Sequence, residues 1–182
     1  KLEDIRYADK MGYSVKLLGT IRKNDDNTLF IMVAPFLVEK SIPLSGVEDV
    51  YNAILVEGDA VGISLFYGRG AGKLPTASAV VADVIDCAKH IKARKYLYWK
   101  SSDGSFIQDY KKMLCKRYVR FISGITRADI QEAFTVLECT QEADSLVFIT
   151  GDLNEYDFDK ALAKLETKCS CKAAAVIRVF SI

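Results

Sequence analysis

Apolar residues along this chain recur at two periods, and the switches between them mark out short elements. Ile5, Ala8 and Met11 fall at near-helical spacing, so residues 3–11 predict a helix that Gly12 ends. Residues 13–21 predict a strand, 24–27 (Asn-Asp-Asp-Asn) a polar turn, and 29–38 the returning strand. Pro35 interrupts that second strand and suits an edge or the end of a pairing ladder. Residues 41–44 read as a loop, 46–51 as a short helical stretch, and 52–57 and 61–67 as two apolar strands around the Gly58-Asp59 turn. A glycine-rich run follows, and residues 75–92 predict a helix in which Val80, Val81, Val84, Ile85 and Ala88 make a broad apolar face. That face is wider than a surface helix needs, which predicts packing between two layers.

Residues 92–100 change the character of the chain, and the remainder alternates cleanly. Strands are predicted over 118–123, 135–140, 145–150 and 173–180, with helices over 127–134 and 157–167 and Asn154 as a cap. The order is β-α-β-β-α-β, the ferredoxin-like sequence of elements. On this reading Tyr118, Arg120 and Gln131 face solvent, while Val119, Phe121, Val147, Ile149, Ile177 and Val179 build the sheet core. The expected fold class is α+β: a mixed sheet with helices over residues 1–94, then a ferredoxin-like domain over 95–182.

Half of the 182 residues are hydrophobic, ample for a core, and 25 basic against 24 acidic side chains leave a formal charge of +1. That balance argues against nucleic acid as a partner, since binders of nucleic acid carry a basic stripe. No apolar run approaches the ~20 residues that cross a bilayer, and no basic-then-apolar opening suggests a leader. A cytoplasmic protein without membrane association is expected. The cysteines at 87, 115, 139, 169 and 171 are odd in number and irregular in spacing, so they form no disulfide framework. Cys169-x-Cys171 with a single histidine elsewhere is poor zinc-site material, and no metal is expected. The opening on Lys1, directly into a helical pattern, suggests a piece of a longer protein.

The run Asn52-Ala53-Ile54, Gly58-Asp59-Ala60-Val61-Gly62, Phe66-Tyr67-Gly68-Arg69-Gly70-Ala71-Gly72, Pro75-Thr76-Ala77 and Val80-Val81-Ala82-Asp83 is similar to homoserine dehydrogenases. Asp4-Ile5, Ala8, Gly12-Tyr13, Lys16-Leu17-Leu18-Gly19, Val33, Pro35 and Pro43-Leu44 extend the resemblance, which covers residues 1 to about 92. It implies an NAD(P)-dependent oxidoreductase that interconverts aspartate semialdehyde and homoserine on the way to threonine and methionine. It also implies a homodimer whose contact lies in the substrate-domain sheet. The family's dinucleotide loop, catalytic lysine and acidic substrate ligands precede the stretch matched here, so no catalytic residue is assigned. The chain is expected to be the carboxy-terminal part of such an enzyme, inactive by itself and with no cofactor bound. Many members append an ACT domain that binds an amino acid, and Arg117-Tyr118-Val119-Arg120-Phe121 resembles its first strand. The alternative is a non-catalytic amino-acid-sensing or oligomerisation module derived from the enzyme.

Three readings compete for Gly68-Arg69-Gly70-Ala71-Gly72. The plainest is a strand-to-helix turn that needs glycine for positive φ or close backbone approach. A phosphate-binding P-loop fails, because Tyr67 stands where its first glycine belongs and Leu74 where Ser or Thr would follow Lys73. The dinucleotide pattern G-x-G-x-x-G fails too, since the third glycine falls on Lys73 or Pro75. The resemblance implies the third reading: the loop closes on the cofactor cleft, Gly72 contacts the nicotinamide nucleotide, and Gly70, Ala71 and Thr76 support it. Thr76 is expected at the start of a helix whose free N–H groups favour anions. Arg69 and Lys73 read as solvated, Glu57, Asp59 and Asp83 as structural, and His90 as a surface residue near a helix end. In the second half, the loop Ser123-Gly124-Ile125-Thr126 keeps a glycine but not the Asp-x-Pro-Gly of ligand-binding ACT domains. Gly124 and Ile125 are the effector candidates there, with threonine as the effector, against a domain kept for dimerisation.

Overall fold

The structure is a computed structural model that describes residues 1–93, 98, 100–142 and 144–182. Its order is α1 (Leu2–Lys10), β1 (Tyr13–Lys23), β2 (Leu29–Glu39), β3 (Tyr51–Gly58), β4 (Gly62–Arg69), α2 (Lys73–Lys89), β5 (Arg117–Phe121), α3 (Arg127–Ala133), β6 (Val136–Glu142), β7 (Ser145–Thr150), α4 (Glu155–Cys169) and β8 (Ala175–Val179). It is an α+β chain with a six-stranded mixed sheet, β1-β2-β8-β5-β7-β6, and a separate two-stranded β3–β4 sheet. Chain contacts gather into two compact units, residues 1–45 with 104–182, and residues 46–103.

In the first unit, β5-α3-β6-β7-α4-β8 follows the expected element order, and β5 pairs antiparallel with both β7 and β8. The β1–β2 hairpin then joins the same sheet, through a short parallel ladder of Phe36 with Arg178 and Leu37 with Val179. Compactness therefore groups residues 1–45 with the second half, a different division from 1–94 and 95–182. Pro35 lies just before this ladder, so its missing N–H is not needed by β8. Residues 46–51 do not form the expected helical stretch. The only helical turn there is a 3-10 turn at Pro43–Gly46, and β3 already begins at Tyr51.

Both faces of the β5–β7–β8 part of the six-stranded sheet are covered. Val119, Phe121, Leu146 and Phe148 pack with Ile130 and Phe134 near α3 and Phe158 and Leu165 of α4. On the other face Tyr118, Val147, Ile149, Val179 and Leu37 enclose Ala8 of α1. Tyr118 and Arg120, expected at the surface, are 0% and 1% exposed, because α1 caps the face that sequence alternation left to solvent. Gln131 is exposed, as expected.

The second unit holds β3, β4 and α2. Helix α2 begins two residues earlier than expected and ends at Lys89, with His90 as its C-cap. None of its residues is buried, so the expected packing between two layers does not occur. Among the described residues the only sheet of that unit is a two-stranded hairpin, too narrow to enclose a 17-residue helix. Along the hairpin Ile54, Val56, Ile63, Leu65 and Phe66 are also exposed.

Candidate functional site

The glycine run lies at the end of the β3–β4 hairpin, where the chain leaves β4 and turns into α2. The register places Tyr51 opposite Arg69, Asn52 opposite Gly68 and Ala53 opposite Tyr67. Tyr51 and Tyr67 stack at 5.0 Å with rings 5° from parallel. Arg69 lies over the Tyr51 ring, 5.6 Å from its centroid, with Nε 3.5 Å from the phenol oxygen. The side chain expected to be merely solvated thus clamps the strand end from which the loop departs.

Two glycines of the run leave space for different reasons. Gly72 is the N-cap of α2 at φ 115°, ψ 153°, a conformation that is costly for any residue with a Cβ. Gly70 has no positive φ, but a Cβ there would overlap Asn52 Nδ2 and lie 2.7 Å from Asn52 Cγ and 3.1 Å from its Cβ. Gly70, Ala71, Gly72 and Thr76 are all exposed and adjoin one helix start. Thr76 does not begin the helix. Its N–H already donates to Gly72 O at 3.1 Å, and Pro75 has none to offer. The first-turn donors left over belong to Lys73 and Leu74. The loop thus offers bare backbone and two N–H groups at a helix N-terminus, which fits an anionic, closely approaching group such as part of a dinucleotide.

In the other unit Gly124 is exposed at φ 80°, and its Cα side backs on Cys171 Cβ at 3.4 Å from the position a Cβ would take. Ile125 is half-buried against the α3–α4 core cluster, so its side chain packs inward and only its backbone faces the loop. Thr126 then caps α3 in a reciprocal pair with Asp129, accepting from its N–H and donating to its carboxylate. Thr126 and Lys168 hold the Asp129 carboxyl down at about 2. The two expected sites lie in different units. Glu57, Asp59 and Asp83 are exposed. His90 is exposed and pairs with Asp86 of its own helix at 3.0 Å. Among the described residues no group of three or more His, Cys, Asp or Glu side chains is placed to hold a metal. None of the described helices is long and apolar enough to cross a membrane.

Sequence reading missed two features. One is Asn52, whose role shows only when the hairpin register brings it beside Gly70. The other is a buried ionic cluster. Arg120 Nε donates to Asp4 Oδ1 at 2.7 Å and Nη2 to Oδ2 at 3.4 Å, while Tyr118 OH donates to Oδ1 at 3.2 Å. Burial alone would raise the Asp4 carboxyl's pKa, but the Arg120 hydrogen bond and charge bring it below its ordinary value. Burial and then the Asp4 charge push the Tyr118 phenol upward. No fully buried side-chain polar atom of the cluster lacks a hydrogen-bond partner, which marks it as a structural lock rather than a reactive centre.

A family model described as homoserine dehydrogenase matches residues 1–85. A homoserine dehydrogenase of Synechocystis is 33% identical over 98% of this chain and 47% of its own length. One from Neisseria gonorrhoeae is 50% identical over 90 residues, half of this chain and 20% of the relative. The crystal structure of a homoserine dehydrogenase from Thiobacillus denitrificans superposes with a TM-score of 0.79 at 29% identity, covering 97% of this chain and 44% of that one. A Staphylococcus aureus homoserine dehydrogenase gives 0.70 at 28%, over all of this chain and 45% of its own. The chain spans less than half the length of these proteins.

Proposed function

The chain belongs to the homoserine dehydrogenase family, and on that basis we propose that it is the carboxy-terminal portion of an NAD(P)-dependent enzyme that interconverts aspartate semialdehyde and homoserine. The observation that carries this reading is similarity along nearly the whole chain to less than half of the Synechocystis and Thiobacillus denitrificans enzymes. The reaction would serve threonine and methionine synthesis in the cytoplasm.

Within that enzyme Gly72 would meet the nicotinamide nucleotide with its backbone, Gly70 and Ala71 would shape the approach, and Thr76 would support the helix start through its bond to Gly72. The cofactor supplies the hydride when bound. This chain's residues contribute a surface that admits and orients it, and the 182-residue chain alone is proposed to be inactive. Exposed apolar residues on both faces of the hairpin, Ile54, Val56 and Phe66 on one and Ile63 and Leu65 on the other, support a homodimer through β3–β4. The β-α-β-β-α-β segment is proposed as an ACT-type domain, with threonine held by backbone groups at Gly124 and Ile125.

The test is spectrophotometric. The pure chain with NADPH and aspartate semialdehyde should show no turnover, and any turnover above buffer overturns the assignment of the chemistry to a missing portion. Calorimetric titration with L-threonine should give a saturable heat that a control amino acid does not. A flat titration would refute the effector role and leave the domain a structural one. Light scattering should find a dimer, and a clean monomer would refute the hairpin contact.

A further inference from the structure

We propose that Asn52 is a positioning residue for the loop Gly70-Ala71-Gly72, holding it where a nucleotide can approach the backbone. This rests on the reading of that loop as cofactor-facing, and it deepens that reading by adding a residue from the opposite strand. Asn52 sits on β3 opposite Gly68, the last-but-one residue of β4, so its side chain can reach past the strand end to the loop. It occupies the space a Cβ on Gly70 would need. A Cβ on Gly70 would meet the Asn52 side chain and not a backbone barrier, since Gly70 has no positive φ, whereas Gly72 stands at φ 115°. The two constraints act in series. The Tyr51–Tyr67 stack and Arg69 fix the end of the hairpin, Asn52 fixes the loop's first turn, and Gly72 delivers the chain into α2.

Loop position and side-chain volume are thus shared between residues 52 and 70. A methyl group on Gly70 drives Asn52 out of its place, and loss of the Asn52 carboxamide frees the loop. Either change alone moves Gly72. Both together leave room for the methyl group, with only the two Cβ atoms, 3.1 Å apart, to accommodate.

A double-mutant cycle tests this with Asn52→Ala, Gly70→Ala and the pair. The first readout uses the 182-residue chain: hydrogen-exchange protection of the Thr76 amide, which is bonded to Gly72 O, together with amide chemical shifts of residues 71–74. Each single variant should lower Thr76 protection roughly 2- to 10-fold, the cost of driving one side chain from a favoured rotamer. The pair should be no worse than the poorer single. Multiplicative losses in the pair would overturn the proposal, as would singles indistinguishable from the parent chain. The second readout is the NADPH dissociation constant of the longer protein that carries the remaining portion, in which the same non-additivity is expected. If Gly72→Ala leaves that constant unchanged, the cofactor reading of the loop fails, and the proposal in its stated form fails with it. Coupling in the exchange data would then show an Asn52–Gly70 contact without a cofactor role, so the two failures are told apart.

Discussion

Asp4→Ala should destabilise the six-stranded unit more than any other single change at its surface-facing helix. Arg120 is 1% exposed and depends on Asp4 for a two-point ion pair, so the substitution leaves a guanidinium buried without its main counter-charge. Breaking one partner from a buried pair costs about 3–5 kcal/mol. Glu3 Oε2 lies 3.4 Å from Arg120 Nη2 and is 61% exposed, so it can recover part of the lost attraction and points to the lower end, about 3 kcal/mol. With a urea slope of about 2 kcal/mol per molar, the midpoint should fall by roughly 1.5 M. The assay is urea denaturation followed by far-ultraviolet circular dichroism, near neutral pH and again in acid. Because the folded Asp4 carboxyl lies below its unfolded value, its stabilisation is complete above the unfolded pKa of about 3.9 and is lost as pH falls through the folded one. The parent and Asp4→Ala curves should therefore converge in strong acid. A neutral-pH midpoint change below roughly 0.3 M would refute the claim that this pair pins α1 to the sheet. A constant gap at all pH values would refute its ionic nature. The triple replacement Asp4→Leu, Tyr118→Phe and Arg120→Met should sit much nearer the parent than either charge deletion, since it removes both charges and the Tyr118 hydroxyl that donates to Asp4.

Phe148→Ala removes a fully buried ring that packs beside Phe121 and Phe134, and should cost about 3–5 kcal/mol; an unchanged melting temperature would contradict the assigned core. Gly72→Ala forces a Cβ into φ 115° and should weaken the α2 start by about 1–3 kcal/mol, visible as faster exchange of the Thr76 amide; unaltered exchange would refute the conformational requirement. The Asp129 carboxyl should titrate by NMR near 2 rather than 3.8, so its contribution to the α3 cap persists above the unfolded pKa and disappears only as pH falls through about 2. A midpoint near 3.8 would show that the Thr126 and Lys168 contacts are not held in solution.

Element identity was legible in the order of residues wherever a local rule was enough. Periodicity placed all eight strands of the described residues within two residues at each start, and the Asn154 cap was readable because capping is a matter of three or four neighbouring residues. The glycine run could also be recognised as a special turn, and the resemblance of residues 52–83 carried the family. Partnership across the chain was not legible. The alternation of Arg117 to Phe121 reads as one wet and one dry face, yet α1, more than 100 residues earlier, covers the polar face and converts Tyr118 and Arg120 into buried groups. The β1–β2 hairpin gave no sign that it would add to β8, because two residue pairs of parallel ladder leave no pattern in either strand. Gly70 was legible as part of a candidate cofactor loop, but its contact with Asn52 came only with the hairpin register. Period, capping and φ preference are properties of neighbours along the chain, so sequence alone determined them. Burial, charge pairing and close approach depend on which distant segments meet, and only the tertiary structure decided those.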